Sequence, residues 1–143
     1  MMQKQIEFYK NKLTCEMDPS DLWDAMENGE SIIALDARKS FGFDKEHIPN
    51  AINFPHRDMN EESTKHLDKA KIYVCYCDGI GCNASTKAAL KMTKLGFKVK
   101  ELIGGKLSIA NLFSSAILSF LVGFKLVEAT FHYSDFVANP QGF

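Results

Sequence analysis

Two short apolar runs, SIIALD at 31–36 and KIYVCY at 71–76, constrain this chain more than any other feature. Both are continuous, and both carry β-branched or aromatic residues. Runs of that kind fit strands buried on both faces, as in a parallel sheet covered by helices. The segments around them read as helices. Asp18-Pro19 is an N-cap followed by proline at the first helical position. Leu22, Trp23, Ala25 and Met26 then form a stripe that Gly29 ends. Residues 83–95 are helical by composition and closed by Gly96, after which 98–103 alternates into another strand. A short strand is expected over 51–54, within a Gly-, Pro- and Asn-punctuated stretch, and a helix over 61–67. Strands alternating with helices through short connections predict an α/β fold with a parallel sheet. Sites in such sheets form at the carboxyl ends of the strands.

A length of 143 residues suits a single domain over 1–143 with one core. Seventeen basic and 18 acidic residues leave a net charge of -1, so no global field favours nucleic acid or an anionic membrane. The N-terminal MMQKQIEFYKNKL is charged throughout and lacks the apolar core of a secretory signal, so the expected compartment is the cytoplasm. The four cysteines, Cys15, Cys75, Cys77 and Cys82, are then expected to be reduced. Residues 107–124 carry no charge but include Asn111 and several serines. Their apolar positions follow a helical stripe, which favours a helix packed on the sheet or on a partner over a membrane span. Residues 126–143 receive no assignment.

The chemistry concentrates in IYVCYCDGIGCNAS. A strand is expected to end at Cys77, followed by the turn Asp78-Gly79-Ile80-Gly81 and a helix opening near Cys82-Asn83. Glycines let the backbone curl until successive N–H groups face inward, and the helix start adds unpaired N–H groups and the positive end of its dipole. A thiolate in that cradle, formed by Asp78 to Asn83, is stabilised without metal or base, which lowers its pKa and activates it at neutral pH. A strand end followed by glycines is also a place where exposure is expected. Cys75, in mid-strand, and Cys15 read instead as small buried hydrophobes. Cys82 admits two readings: a helix-start residue without chemistry, or a thiol that resolves or relays an oxidised or persulfidated Cys77. A zinc site from Cys75, Cys77 and Cys82 is disfavoured, because C-x-C-x4-C is not the spacing of paired ligand knuckles.

The order LDARKSFGFDKEHIPNAINFP, IYVCYC, a glycine loop, ASTKAALKMTKLGF and VKELIGG resembles a single-domain rhodanese, a sulfurtransferase. The resemblance runs from about 14 to 105, leaving 106–143 as an atypical helical tail. Its most specific parts are Asp36-x-Arg38, the His47-Ile48-Pro49-x-Ala51 stretch and Gly104-Gly105. It implies a rhodanese-like α/β fold with a parallel sheet of about five strands flanked by helices. It also implies an active-site loop after the fourth strand whose first residue, here Cys77, is the nucleophile. The family's chemistry is a persulfide on that cysteine, formed from a small sulfur donor such as thiosulfate and handed to a thiol or carrier-protein acceptor. No metal or organic cofactor is implied. Where the commonest family loop has arginines, this chain has Asp78 and Cys82, which should weaken binding of a doubly charged donor. The loop resembles instead a subset with the form C-x-G-x-x-C-N. A phosphatase would need C-x5-R, but Asn83 stands in place of that arginine. The tail lacks the tryptophan that usually follows the paired glycines, Trp23 being the one tryptophan.

Asp36 and Arg38 are expected to form a structural pair that fixes loops near the site, and His47 a loop-fixing hydrogen bond. His56 and Arg57 are candidate substrate contacts, Arg57 supplying a positive charge that the loop lacks. Two rivals to a sulfurtransferase remain. One is a non-catalytic interaction module on the same fold; the other is a thiol redox protein cycling a Cys77–Cys82 disulfide.

Overall fold

The computed structural model describes residues 1–79 and 81–104, all within one compact unit, Met1–Ala110. The expectations for Ile80, for the 107–124 helix and for the rest of the tail fall outside the described residues. The elements run α1 (Met2–Cys15), β1 (Glu16–Met17), α2 (Pro19–Glu27), β2 (Ile32–Asp36), α3 (Ser40–Lys45), β3 (Ile52–Asn53), β4 (Ile72–Tyr76), α4 (Ala84–Lys94) and β5 (Lys98–Leu102). All five strands are parallel, in the order β1-β5-β4-β2-β3. The expected α/β fold and five-stranded sheet with flanking helices are therefore present.

Local chemistry explains the boundaries. The Asp18 carboxylate accepts the Asp21 N–H at 2.9 Å and caps α2, which begins on Pro19. Gly29 and Gly96 each take positive φ just past a helix, so that Glu30 N–H reaches the Ala25 carbonyl and Phe97 N–H reaches that of Met92. Those bonds consume carbonyls that the helix ends leave free. Phe97 and Met92 also meet in the core, so the second turn doubles as a hydrophobic clasp.

Three expectations need correction. Residues 61–67 form consecutive turns, not a helix, because side chains capture the backbone there. Asn60 and Ser63 exchange bonds, Asn60 N–H to the Ser63 hydroxyl and Ser63 N–H to the Asn60 amide oxygen, at 3.0 and 2.9 Å. Cys15 ends α1 exposed and is not a buried hydrophobe. The third, at Cys77, belongs to the site. Two elements were also not anticipated: α1, all of whose residues are exposed, and the short α3.

The core lies between the sheet and α4. Leu35, Tyr73 and Cys75 share one face with Ala88, Met92 and Phe97, and the Tyr73 and Phe97 rings meet edge to face at 5.5 Å. Ala34 and Val74, one residue out of phase, are buried on the other face. Period two also fixes the site. Register pairs Cys75 with Glu101, so Cys77 and Glu101 lie on the α4 side of the sheet's carboxyl end.

Candidate active site

Cys77 follows β4, and α4 begins at Ala84, so the strand–loop–helix order holds at this point. Contrary to the expected exposure, Cys77 is only 2% exposed. The loop folds over it: Cys82 N–H closes a turn on the Gly79 carbonyl at 3.0 Å, and the first turn of α4 brings Ser85 alongside. The Cys77 sulfur faces a cavity of about 240 Å³, lined also by Cys82, Ser85, Glu101, Glu16 and Lys12. That is below the roughly 300–1,000 Å³ of sites for larger ligands, so a small molecule or the tip of a longer one fits.

Two protonation states use different partners. As a thiol, Cys77 donates to the Cys82 carbonyl at 3.2 Å. As a thiolate it loses solvation through burial, which pushes its pKa up, but four donors outweigh that. These are the Cys82 thiol, the Ser85 hydroxyl at 3.4 Å, and the Gly79 and Ser85 N–H groups; the net displacement is downward. Cys82 moves the opposite way, raised by burial and by holding its proton toward the Cys77 sulfur. Cys77 is thus the thiol of the pair whose ionisation its surroundings favour, and Cys82 the one that keeps its proton. The cradle differs in composition from the expected 78–83 backbone. Cys82 N–H is spent on its turn and the Cys82 carbonyl faces the sulfur, while Ser85 supplies the helix-side N–H. Cys75, one turn of the pleat away, is driven up to about 12 by burial and by the Glu101 charge.

The Asp36–Arg38 pair lies beside this loop. Arg38 is clamped by both Asp36 carboxylate oxygens, with Nη2 to Oδ2 at 2.6 Å, and it also donates to the Glu46 carbonyl. Its remaining nitrogen reaches Asp78 at 3.1 Å, so the acidic residue that opens the loop is tied to a buried cation. Gly42 permits this approach: a Cβ there would stand 3.3 Å from Arg38 Nη1. His47 stacks on Phe43 at 3.7 Å and bonds the Phe43 carbonyl through Nδ1. It lines neither cavity described here. The HIPNA turn closes with Asn50 at φ +62, a conformation that asparagine tolerates.

His56 and Arg57 lie on the far side of Cys82. With Lys39, Phe41 and Pro55 they line a second cavity, about 350 Å³, which Cys77 does not reach. Burial lowers the His56 pKa, and Lys87, Arg57 and Lys91 lower it further against a bond with Ala37, leaving the ring neutral at pH 7.

Ser85, Glu101 and Glu16 escaped the sequence reading. Glu101 Oε1 accepts from the Thr86 hydroxyl at 2.7 Å and lies 2.7 Å from the Ser85 hydroxyl, whose single proton goes to Glu101 or, when Cys77 is ionised, to the Cys77 sulfur. One signal was available: Val99, Glu101 and Ile103 alternate onto one face, and a carboxylate between two apolar residues marks a polar site. Among the described residues no three His, Cys, Asp or Glu side chains are grouped to hold a metal ion.

The family model of the rhodanese-like domain matches residues 18–111, more than half of the chain. This chain belongs to the rhodanese-like domain family. A Bacillus halodurans protein of known crystal structure is 42% identical, with a TM-score of 0.71 over 78% of this chain and 82% of that one. A Lactobacillus plantarum protein is 28% identical, with a TM-score of 0.68 over 78% and 95%. A rhodanese-related protein from Thermoplasma volcanium is 26% identical, with a TM-score of 0.58 over 68% and 91%. No curated protein matches the sequence. The matched region of this rhodanese-like chain contains the Asp36–Arg38 clamp, both loop cysteines and the second cavity. Among the described residues no helix is long and apolar enough to cross a membrane.

Proposed function

We propose that this rhodanese-like protein is a sulfurtransferase working through a persulfide on Cys77. The Cys77 thiolate attacks the outer sulfur of a donor R–S–S⁻. The donor S–S bond breaks, its electron pair leaves on R–S⁻, and Cys77–S–S⁻ remains. A thiolate or cyanide then attacks the outer sulfur and releases the Cys77 thiolate. The partners are a small sulfur donor and a thiol or carrier-protein acceptor, in a reducing compartment such as the cytoplasm, which four free thiols support. The observation that carries this reading is a buried sulfur facing a cavity, with donors that outweigh its desolvation.

The charges around Cys77 suit a persulfide donor better than thiosulfate. Asp78 and Cys82 replace the loop arginines, and the cavity beside Cys77 adds Glu16 and Glu101 against one lysine, itself paired to Glu16. Two negative charges on a donor meet little that attracts them. Thiocyanate formation from cyanide and a small persulfide tests the reading. Cys77→Ser should fall to the uncatalysed rate, while Cys15→Ser, at an exposed thiol outside the site, retains transfer. The contact between the Cys77 and Cys82 thiols favours a second reading, a redox pair. No thiocyanate, together with a loss of two thiols on mild oxidation that needs both cysteines, would select it.

A further inference from the structure

The cavities flanking the loop share a single lining residue, Cys82, and their charges are opposite. On the Cys77 side stand Glu16 and Glu101, with Lys12 already paired to Glu16. On the other side stand Lys39 and Arg57, both exposed, with no ion pair among the described residues. The acidic group there, Asp78, is bound to Arg38, and Phe41, Pro55 and the neutral His56 complete the wall. We infer that the Lys39–Arg57 cavity is an acceptor site for small anionic thiols, which take the sulfur from Cys82 after Cys82 has received it from Cys77. This rests on the sulfurtransferase reading above and deepens it.

The transfer balances within the loop. Cys77–S–S⁻ and Cys82–SH become Cys77–S⁻ and Cys82–S–SH. The Cys82 proton moves to the outer sulfur, the Cys82 thiolate attacks that sulfur, and the bond electrons return to Cys77. No oxidant or reductant enters. The acceptor thiolate R–S⁻ next attacks the outer sulfur of Cys82, giving R–S–SH and a Cys82 thiolate, which takes up a proton from solvent. The Cys77 sulfur lies 3.2 Å from the Cys82 carbonyl and both residues line one cavity, which sets Cys82 beside it, and the low-pKa Cys77 is the better leaving group. Sulfur thus enters on an acidic side, which takes a singly charged persulfide more readily than a multiply charged thiol, and leaves on a basic one.

The test uses the full chain, loaded from a small persulfide, desalted, and discharged with mercaptosuccinate (anionic) or 2-mercaptoethanol (neutral). Discharge is followed by intact mass, and the ratio of the two rates cancels differences in loading. Lys39→Glu with Arg57→Glu should lower the anionic-to-neutral ratio by about tenfold, and the milder Lys39→Gln with Arg57→Gln by less. Cys82→Ser should lower the ratio as well. In wild type, added salt should slow mercaptosuccinate selectively. A loaded Cys77 whose ratio is unmoved by all three changes overturns the acceptor site alone. A Cys77–Cys82 disulfide with sulfide release overturns the relay. Failure of any donor to load Cys77 removes the sulfurtransferase reading and this inference together.

Discussion

Burial and hydrogen bonding oppose each other at Cys77, and the hydrogen bonds win. Since the thiolate is the reacting form, a lowered pKa moves the alkylation profile toward lower pH. Iodoacetamide should therefore modify Cys77 with a midpoint below that of an unstructured cysteine peptide, and Ser85→Ala, by deleting one donor, should move that midpoint up. At pH 8 Cys75 should stay unmodified in the folded chain, being buried and held near 12. Peptide mapping after alkylation reads both. At Asp36, Arg38→Met would strand a carboxylate with no exposure. Breaking a buried pair from one side costs about 3–5 kcal/mol, which urea unfolding would register. Among residues, the place of Cys77 between β4 and α4 was legible because a strand end, a thiol, glycines and a helix start follow one another in the sequence. Ser85 and Glu101 were not, because their role arises only when register brings β5 and the first turn of α4 together.

At the scale of elements, the active loop depends on backbone freedom. Gly81 sits at φ +90, and a Cβ there would meet nothing within 4 Å. Gly81→Ala should therefore cost only backbone strain, about 1–3 kcal/mol in urea unfolding, and it should also slow sulfur transfer by shifting the turn beneath Cys82. The reason lies in the Cys82 carbonyl. It accepts from the thiol but would repel a persulfide anion, so the loop must turn that peptide when sulfur is loaded. The two buried strands and the capped helices were legible because each has a continuous run or a paired start and stop signal. The 61–67 segment misled because Asn60 and Ser63 offered the backbone local partners that composition hides. In α1, Met2, Ile6, Tyr9 and Leu13 do recur at helical spacing, but charged residues interrupt the stripe and every residue of α1 is exposed, so no buried face marks the helix.

For the whole molecule, a net charge of -1 conceals an arrangement: carboxylates around the entry to Cys77 and cations beyond Cys82. Repulsion of a dianion by the entry is screened by salt, so kcat/KM for thiosulfate should rise between low and physiological ionic strength. With a neutral donor it should stay level. The family and a parallel sheet of about five strands were readable from order and motif; the strand order β1-β5-β4-β2-β3 was not. The charge asymmetry was not, because Glu16, Lys39, Arg57 and Glu101 converge from four separate segments. The most direct measurement of the central claim is the intact mass of the full chain after exposure to a small persulfide, wild type beside Cys77→Ser. The account predicts that wild type gains one sulfur atom, that cyanide removes it, and that Cys77→Ser gains none. A folded wild type that gains no sulfur, or a Cys77→Ser chain that gains it equally, would contradict the account.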